Sequence, residues 1–370
     1  MRAFTECNSV VNNDGALASR VSSGNDNWVQ NTWYGESPLR WLLLPFTWIY
    51  SVVIACRRLL YSSGVLRSYQ VSVPVIIVGN ITVGGTGKTP LTIWLAQQLA
   101  ANGYRPGIIS RGYRGMVGPN PMEATADSDP AVVGDEAILI ASRSECPVVV
   151  HPDRVAAAKL AIELGANVIV SDDGLQHYRL GRDFEIAVVD GTRRYGNRQL
   201  LPAGPLREPL SRLDTINQIL VQRETDGSSE LLHRSADPPP VYFRLVASAI
   251  CRLDDSDIRN IGDFAGTKVH ALAGIGNPER FFRLLEGYNI EVIRHPLPDH
   301  AEITLDELAF DDDLDVVMTE KDAVKCRWLD TSNCWYVPVD VAINDADAEG
   351  LLNRILHQIS PDEMDENTHG

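Results

Sequence analysis

Short apolar runs alternate with segments of helical spacing along most of the chain. One run, Val75 to Val78, is followed by a glycine-rich turn and then by a helical pattern in which Leu91, Leu95 and Leu99 share a face. Strands and helices that alternate in this way predict parallel sheets with helices on their faces. The other predicted strands span 105–110, 147–150, 167–170, 184–190, 218–221, 268–273, 290–295, 315–319 and 334–339. The predicted helices span 91–101, 137–142, 154–164, 278–285, 305–310 and 346–359.

One stretch, Trp41 to Cys56, carries no charge and contains Pro45. Its roughly 16 residues would extend about 24 Å as a helix, less than a hydrocarbon core of about 30 Å. Its tryptophans and tyrosine, with arginines on both sides, favour a membrane interface. Three structures remain open: an interfacial or partly inserted helix, a single membrane span, and a buried core helix. Membrane association is the interpretation that we favour.

Polar segments divide the rest of the chain. Residues 1–36 are rich in Asn, Ser and Gly without a sustained period, which predicts a mobile extension. Residues 225–243 are polar and contain three consecutive prolines, which predicts a linker. We therefore expect a membrane-associated helix, a phosphate-loop domain, a smaller second α/β domain and a frayed tail, at residues 37–61, 62–224, 244–360 and 361–370.

The turn after the first strand has the residues of a phosphate-binding loop. The segment VGNITVGGTGKTP joins strand to helix, and its glycines precede Lys88 and Thr89. In such a loop the backbone N–H groups hold phosphates, the lysine reaches the terminal phosphates and the threonine can ligate Mg²⁺. Thr82 stands where the usual motif has its first glycine. We predict nucleotide binding by Thr82, Val83, Gly84, Gly85, Thr86, Gly87, Lys88 and Thr89.

Two acids end a later strand. Asp172 and Asp173 follow the apolar run 167–170, at the edge where open α/β sheets bind ligands. In phosphate-loop enzymes an acid at this place holds Mg²⁺ or its water, and the alternative is an ordinary Asp-Asp-Gly turn. Together with Thr89, we predict these two side chains to be the Mg²⁺ ligands.

Two further clusters of charged residues can be explained either by function or by their place in the local structure. Arg111 and Arg114 lie in a glycine-rich turn after strand 105–110, where they either hold an anion or are simply solvated. Asp135 and Glu136 open a helix, and the helix dipole alone would favour acids there.

Composition narrows the class of partner. The 370-residue chain has a formal net charge of −16, whereas a general nucleic-acid binder would show a basic stripe, so we expect no nucleic acid partner. The six cysteines form no CxxC pair and no zinc spacing. Reduced thiols in a cytosolic compartment are the expectation.

Other classes of nucleotide-binding protein match the sequence motifs less well. A guanine-specific protein usually has Asn-Lys-x-Asp after a strand. The nearest segment here is Glu320-Lys321-Asp322, in which Lys and Asp are adjacent, so the spacing fails. A non-catalytic nucleotide module at the membrane is a third possibility, against which the retained phosphate-loop and acidic residues argue.

Taken in order, the motifs resemble one family, the tetraacyldisaccharide 4′-kinases, which are the lipid A kinases of Gram-negative bacteria. The resemblance rests on eight segments: VGNITVGGTGKTP (78–90), SRGYRG (110–115), GDEA (134–137), SDDGLQHYRL (171–180), LLPAGPLREP (200–209), GIGNPERFF (274–282), PDH (298–300) and TEKDAVK (319–325).

The resemblance implies two phosphate-loop, RecA-like α/β/α domains that close on ATP, with an N-terminal membrane-associated helix. It implies transfer of the γ-phosphate to the 4′-hydroxyl of tetraacyldisaccharide 1-phosphate, giving lipid IVA. It also implies work at the cytoplasmic face of the bacterial inner membrane, and we expect a monomer.

The resemblance also implies site residues. Asp135 and His300 would act as a pair that accepts the hydroxyl proton, with Lys88 as the third catalytic residue. The residues expected to bind the disaccharide or its phosphate are Gln176, His177, Arg207 and Glu208.

Overall fold

The computed structural model describes residues 23–112, 115–223, 237–329 and 333–360. Arg114, residues 1–22 of the predicted extension, most of the predicted linker and the tail 361–370 lie outside the described residues. The helices are α1 Ser23–Tyr34, α2 Leu39–Ser62, α3 Lys88–Ala101, α4 Pro130–Val133, α5 Asp135–Ser144, α6 Arg154–Glu163, α7 Pro278–Gly287, α8 Leu305–Leu308, α9 Glu320–Cys326 and α10 Asp345–Ile359. Two 3₁₀ helices span Leu210–Thr215 and Ile261–Phe264.

Two sheets form the framework. The first strands are β1 Val75–Gly79, β2 Pro106–Ser110, β3 Met122–Ala124, β4 Val148–Val150, β5 Val168–Asp172, β6 Phe184–Asp190, β7 Gln218–Gln222 and β8 Val241–Val246. The later strands are β9 Ala249–Arg252, β10 Ile258–Asn260, β11 Lys268–Ala273, β12 Glu291–Pro296, β13 Val316–Thr319, β14 Cys334–Val337 and β15 Asp340–Ile343.

The larger sheet has nine strands in the order β15-β8-β7-β6-β1-β5-β2-β4-β3. Its central strands are parallel, and an antiparallel strand closes each edge, β15 against β8 and β3 against β4. We call this sheet and its helices the first unit. The predicted parallel-sheet α/β class is confirmed, with mixed pairing at the edges.

Strand β1 shows why the apolar runs are continuous rather than alternating. All five of its residues are buried, because helices cover both faces of the sheet. Ile76 and Val78 pack in the core under α3, α5 and α10, whereas Val75 and Ile77 pack in the core under α6. The strand therefore delivers the phosphate loop from the middle of a doubly covered sheet.

The smaller sheet has six strands in the order β10-β9-β14-β13-β11-β12. Its four strands β14, β13, β11 and β12 are parallel, and β9 and β10 add antiparallel pairing at one edge. Helix α7 packs Phe282 and Leu285 into the core of this sheet. We call residues 249–337 the second unit.

The predicted boundary of the second domain, 244–360, is wrong at both ends. Strand β8 pairs with β7 of the first sheet and begins inside the predicted linker. After β14 the chain returns, so that β15 pairs with β8 and α10 packs Leu351 and Ile355 into the first core. Apolar spacing specifies that α10 has a buried face, but it does not specify which sheet receives that face.

The prediction of a mobile extension over 1–36 is wrong for its last part. Helix α1 covers Ser23–Tyr34, and Thr32 is fully buried against the first unit. Its Trp33 Nε1 donates a hydrogen bond to the Pro202 carbonyl oxygen at 2.9 Å. Single aromatic anchors within a polar segment give no periodic signal, which is why the sequence pattern missed this helix.

Helix α2 has 24 residues, and most of its outer face is exposed to solvent. Trp41, Trp48 and Ile49 are between 64% and 74% exposed, so the alternative of a buried core helix is wrong. Among the described residues, α2 is the helix long and apolar enough to cross a membrane. Its inner face is fixed by polar anchors, because Thr47 Oγ1 bonds Leu200 O (3.3 Å) and Tyr50 Oη donates to Arg207 O (3.0 Å).

Candidate active site

A cleft of 1210 Å³ lies between the two units, at the carboxyl ends of the parallel strands of the first sheet. Open α/β sheets bind ligands at this edge. The phosphate loop, α2 and α7 all contribute to its walls. Predicted site residues on the lining are Val83, Gly84, Gly85, Thr86, Gly87, Lys88, Thr89, Asp172, Asp173, Gln176, His177, Arg207 and His300.

The phosphate loop turns into α3 through Gly87, whose φ of 81° lies in the left-handed region that glycine adopts without strain. Asn80 Nδ2 spans the loop at 3.4 Å from both Gly84 O and Thr86 Oγ1. The prediction for Thr82 differs from the structure, because this residue is buried in an antiparallel bridge with Leu206 and does not line the cleft. Thr82 therefore fixes the loop to the segment after β6.

Asp172 is the buried last residue of β5. Its Oδ1 accepts a hydrogen bond from Thr92 Oγ1 at 3.2 Å. Burial, and then the neighbouring carboxylates of Glu136 and Asp173, raises the pKa of Asp172 to about 6. The site thus concentrates negative charge where a cation would relieve it.

Asp173 follows in a left-handed backbone conformation, with φ at 48°. Both of its oxygens accept hydrogen bonds from Arg207 Nη1 (3.1 and 3.0 Å), and Lys88 Nζ lies 3.6 Å from Oδ1. Burial opposes the charge of this carboxylate, but Lys88 and Arg207 outweigh it and hold the pKa of Asp173 well below its ordinary value. The structure therefore brings the predicted lysine, acid and arginine together.

Asp135 and His300 meet across the two units. Asp135 opens α5 of the first unit, and His300 Nδ1 lies 2.9 Å from its Oδ2. The His300 backbone is in the left-handed region (φ 61°), and its N–H donates to Gly274 O at 3.1 Å. Asp173 shares this conformation, which a non-glycine residue adopts at a cost that the surrounding structure must offset.

The His300 ring faces the cleft, and Asp135 lies behind it. Burial opposes the charge on Asp135, but the hydrogen bond with His300 and the ammonium groups of Lys321 and Lys325 outweigh burial and lower its pKa. An ionised Asp135 accepts from Nδ1–H, which leaves Nε2 as the acceptor atom of a neutral ring.

Lys321 and Arg154 are functional candidates that the sequence interpretation missed. Lys321 Nζ lies 3.3 Å from His300 Nε2 and 3.0 Å from Glu136 Oε1. Arg154 is buried and donates to Asp172 O at 2.7 Å, and burial lowers its pKa to about 10. A charge directly after an apolar strand was the available signal for Lys321, whereas Arg154 looked like an ordinary first-turn residue of a helix.

In the segment Glu320-Lys321-Asp322, the aspartate bonds to the protein backbone, whereas the aspartate of a guanine-specific motif would face the nucleotide base. Asp322 is fully buried and its Oδ2 accepts from Gly274 N at 2.8 Å. It thus fixes the glycine turn whose Gly274 carbonyl oxygen accepts from the His300 N–H, in agreement with the failed Asn-Lys-x-Asp spacing.

The predicted substrate residues separate into two groups. Gln176 and His177 line the cleft, where Arg57 Nη2 of α2 donates to Gln176 O at 3.1 Å. Burial, together with the charges of Arg154 and Arg111, lowers the pKa of His177 to about 4, so its ring is neutral at pH 7.

Glu208 departs from the prediction, because it is fully buried and absent from the cleft lining. Tyr178 Oη donates to Glu208 Oε1, and Arg212 Nε lies 3.5 Å from its Oε2. Adjacent residues of an extended segment face opposite ways, so Arg207 faces the cleft and Glu208 faces the core.

Known proteins resemble the chain along nearly all of its described length. A family model described as tetraacyldisaccharide-1-P 4′-kinase matches residues 39–359. The chain is 45% identical over 339 residues to the tetraacyldisaccharide 4′-kinase of Nitrosococcus oceani, covering 91% of this chain and 97% of that protein. The corresponding enzyme of Alkalilimnicola ehrlichii is 47% identical over 326 residues, covering 85% and 96%. Among solved structures, LpxK of Aquifex aeolicus in complex with ATP matches with a TM-score of 0.71 and 28% identity, over 86% of this chain and 99% of that chain.

Proposed function

This chain belongs to the tetraacyldisaccharide-1-P 4′-kinase family, and we propose that its cleft transfers the γ-phosphate of ATP to the 4′-hydroxyl of tetraacyldisaccharide 1-phosphate. The activity is that of a lipid kinase in lipid A biosynthesis. The observation that carries the proposal is the contact of Asp135 with His300 at 2.9 Å, in one cleft with Lys88 of the phosphate loop. A phosphate-binding end and a proton-accepting end are both needed to phosphorylate an alcohol.

Each end has its own chemistry. At one end, Lys88 and the N–H groups of the phosphate loop offset charge on the transferring phosphoryl group. At the other end, the Asp135–His300 pair accepts the proton of the sugar hydroxyl, which is a poor nucleophile at neutral pH. The ionised Asp135 stabilises the imidazolium that this transfer forms.

Mg²⁺ fits the donor set beside the phosphate loop. Within the described ranges, no cluster of three His, Cys, Asp or Glu side chains could hold a metal, so phosphate oxygens would have to complete the shell. Mg²⁺ commonly binds in that way, through one or two carboxylates and the substrate phosphates. Thr89 and Asp172 would hold the ion, which neutralises phosphate charge, while Asp173 is committed to Lys88 and Arg207.

Helix α2 would bring the cleft to its lipid substrate. Tyr50, Ile54 and Arg57 of this helix line the cleft, while its outer face is apolar and exposed. Thr47 and Tyr50 hold the helix along the side of the first unit, which favours a helix lying in the membrane interface over one that spans the bilayer. A substrate with four acyl chains does not leave the bilayer readily, so we propose that the enzyme works as a monomer on the cytoplasmic face of the inner membrane.

The activity is tested with γ-labelled ATP, Mg²⁺ and detergent-dispersed tetraacyldisaccharide 1-phosphate. We expect label in the lipid, and release as free phosphate only at a background rate. Folded protein that leaves the lipid unlabelled would contradict the proposed function.

The adjacent residues Arg207 and Glu208 should give opposite results when each is changed to alanine. Glu208→Ala should lower the free energy of unfolding by about 3 kcal/mol, because Arg212 and Tyr178 lose a buried partner. Arg207→Ala should leave unfolding nearly unchanged and lower kcat/KM for the lipid by about 10- to 100-fold, the loss of a charge-assisted hydrogen bond. Urea unfolding and steady-state kinetics on both variants check this, and a stable Glu208→Ala with weakened lipid binding would restore Glu208 as a substrate residue.

The outer face of α2 should carry membrane binding. Trp48→Asp combined with Val52→Asp should reduce co-sedimentation with anionic phospholipid vesicles at least about tenfold, because each buried side chain of this size contributes about 2 kcal/mol. Ile258→Asp, an equally exposed apolar position on the second unit, is the matched control. Equal sedimentation of both variants would place the membrane contact elsewhere.

A further inference from the structure

Helix α1 precedes the family-matched region 39–359, yet its last turn is bound tightly to the first unit. Asn197 N donates to Trp33 O at 2.9 Å, and Asn197 Nδ2 donates to Thr32 O at 3.1 Å. The last carbonyl groups of a helix have no partners within it, so these bonds cap α1 with the backbone N–H and the side chain of one residue in the loop after β6. The contact is therefore specific.

One arginine of that loop connects three parts of the molecule. The Arg193 guanidinium lies 5.6 Å from the centroid of the Tyr34 ring at the end of α1. Its Nη1 donates to Gly276 O of the second unit at 3.2 Å. The same atom would lie 3.7 Å from a Cβ placed on Gly84 of the phosphate loop.

The glycine turn around Gly276 is in direct backbone contact with the phosphate loop. A Cβ added to Gly276 would lie 3.0 Å from Gly85 N, so the two backbones are in contact. Asp190 supports the arrangement, because its Oδ1 accepts from Arg193 N at 3.0 Å and its Oδ2 pairs with Arg280 of α7. The loop after β6 thus holds the second unit at the place where nucleotide phosphates would bind.

We propose that Arg193 is a positioning residue for phosphoryl transfer: it fastens the Gly276 turn against the phosphate loop, and α1 orients its guanidinium through the face of the Tyr34 ring. The inference rests on the proposed function and assigns Arg193 no contact with nucleotide. An arginine suits this role because its planar fork holds several N–H donors in fixed directions, so that one bonds Gly276 O while the guanidinium lies over the ring, whereas the ammonium of lysine is a point charge on a flexible stem. A segment outside the family-matched region then affects the use of ATP but not the use of lipid.

Four full-length variants test the proposal. Arg193→Lys keeps the charge and loses the planar fork, and Tyr34→Leu removes the ring. Each should raise the KM for ATP about five- to tenfold with the KM for lipid unchanged, because Arg193→Lys loses the fixed hydrogen bond to Gly276 O and Tyr34→Leu loses the cation–π contact that orients the guanidinium. Tyr34→Phe keeps the ring and should behave as the wild type, as should Arg198→Lys, an exposed arginine of the same loop.

Thermal unfolding and direct binding of a non-hydrolysable ATP analogue without lipid complete the test. We expect weaker analogue binding by Arg193→Lys and Tyr34→Leu at unchanged melting temperature. An unchanged KM for ATP in Arg193→Lys, or equal shifts for ATP and lipid together with lower stability, would overturn the positioning role. Tyr34→Phe behaving like Tyr34→Leu would overturn the role of the ring. A last outcome separates the two proposals. If Arg193→Lys binds the analogue more weakly than the wild type does, but the wild type leaves the lipid unlabelled, the proposed function fails and the positioning role stands.

Discussion

Lys88→Ala should lower kcat for lipid phosphorylation at least about 10³-fold, because it removes the cation that reaches the transferring phosphoryl group. Lys88 starts α3, and its Nζ lies 3.6 Å from Asp173, at the end of the strand beside β1. A cation held there by a carboxylate that Arg207 also pairs with is fixed before the nucleotide arrives, so little reorganisation accompanies the reaction. Steady-state kinetics at saturating ATP measure the loss.

The fold should survive this change, because Arg207 still pairs with Asp173 after Lys88 is removed. Lys159→Ala, at an exposed position on α6, is the matched control and should keep wild-type turnover. Retention of more than a tenth of wild-type kcat by Lys88→Ala, at an unchanged melting temperature, would remove Lys88 from the catalytic residues.

The phosphate loop could be predicted because its chemistry is local. A buried strand, glycines and Gly-Lys-Thr are contiguous in sequence, so the motif specifies its own geometry. Thr82 shows the limit of this reasoning, since its position in the motif suggested a phosphate contact. Its actual partner, Leu206, lies far along the chain.

Residues whose roles depend on distant partners were predicted less well. Nothing local distinguishes Arg207 from Glu208, yet one lines the cleft and the other is buried beside Arg212. The apolar face of α10 could pack against either of the two sheets, and it packs against the first. Hydrophobic periodicity shows that the face is buried but does not show which sheet buries it. The meeting of Asp135 with His300 likewise came from family resemblance and not from spacing, because 165 positions separate them.

The Asp135–His300 pair leads to a second prediction of large effect. His300→Ala should lower kcat by about 10²- to 10⁴-fold, the usual range for losing general base catalysis, and Asp135→Asn should have an effect of similar size. If the two act as one unit, the double variant should lose no more than about threefold beyond the worse single variant. Independent contributions would instead multiply, which would contradict the pair.

The stabilities of the wild type and Asp135→Asn, compared across pH, measure the contribution of Asp135 to the fold separately from its contribution to kcat. The pKa of Asp135 is lower in the folded protein than its unfolded value of about 3.9, so its stabilisation is fully present above that value. It is lost only as pH falls through the folded pKa, and wild type and Asp135→Asn should therefore converge in stability only in acid. His357→Ala, an exposed histidine on α10, is the matched control for His300→Ala and should keep full turnover. A His300→Ala enzyme with full activity at saturating ATP would mean that the hydroxyl proton leaves by another route, and Asp299, a cleft carboxylate whose Oδ1 lies 3.7 Å from His300 Nε2, would then be the next residue to change.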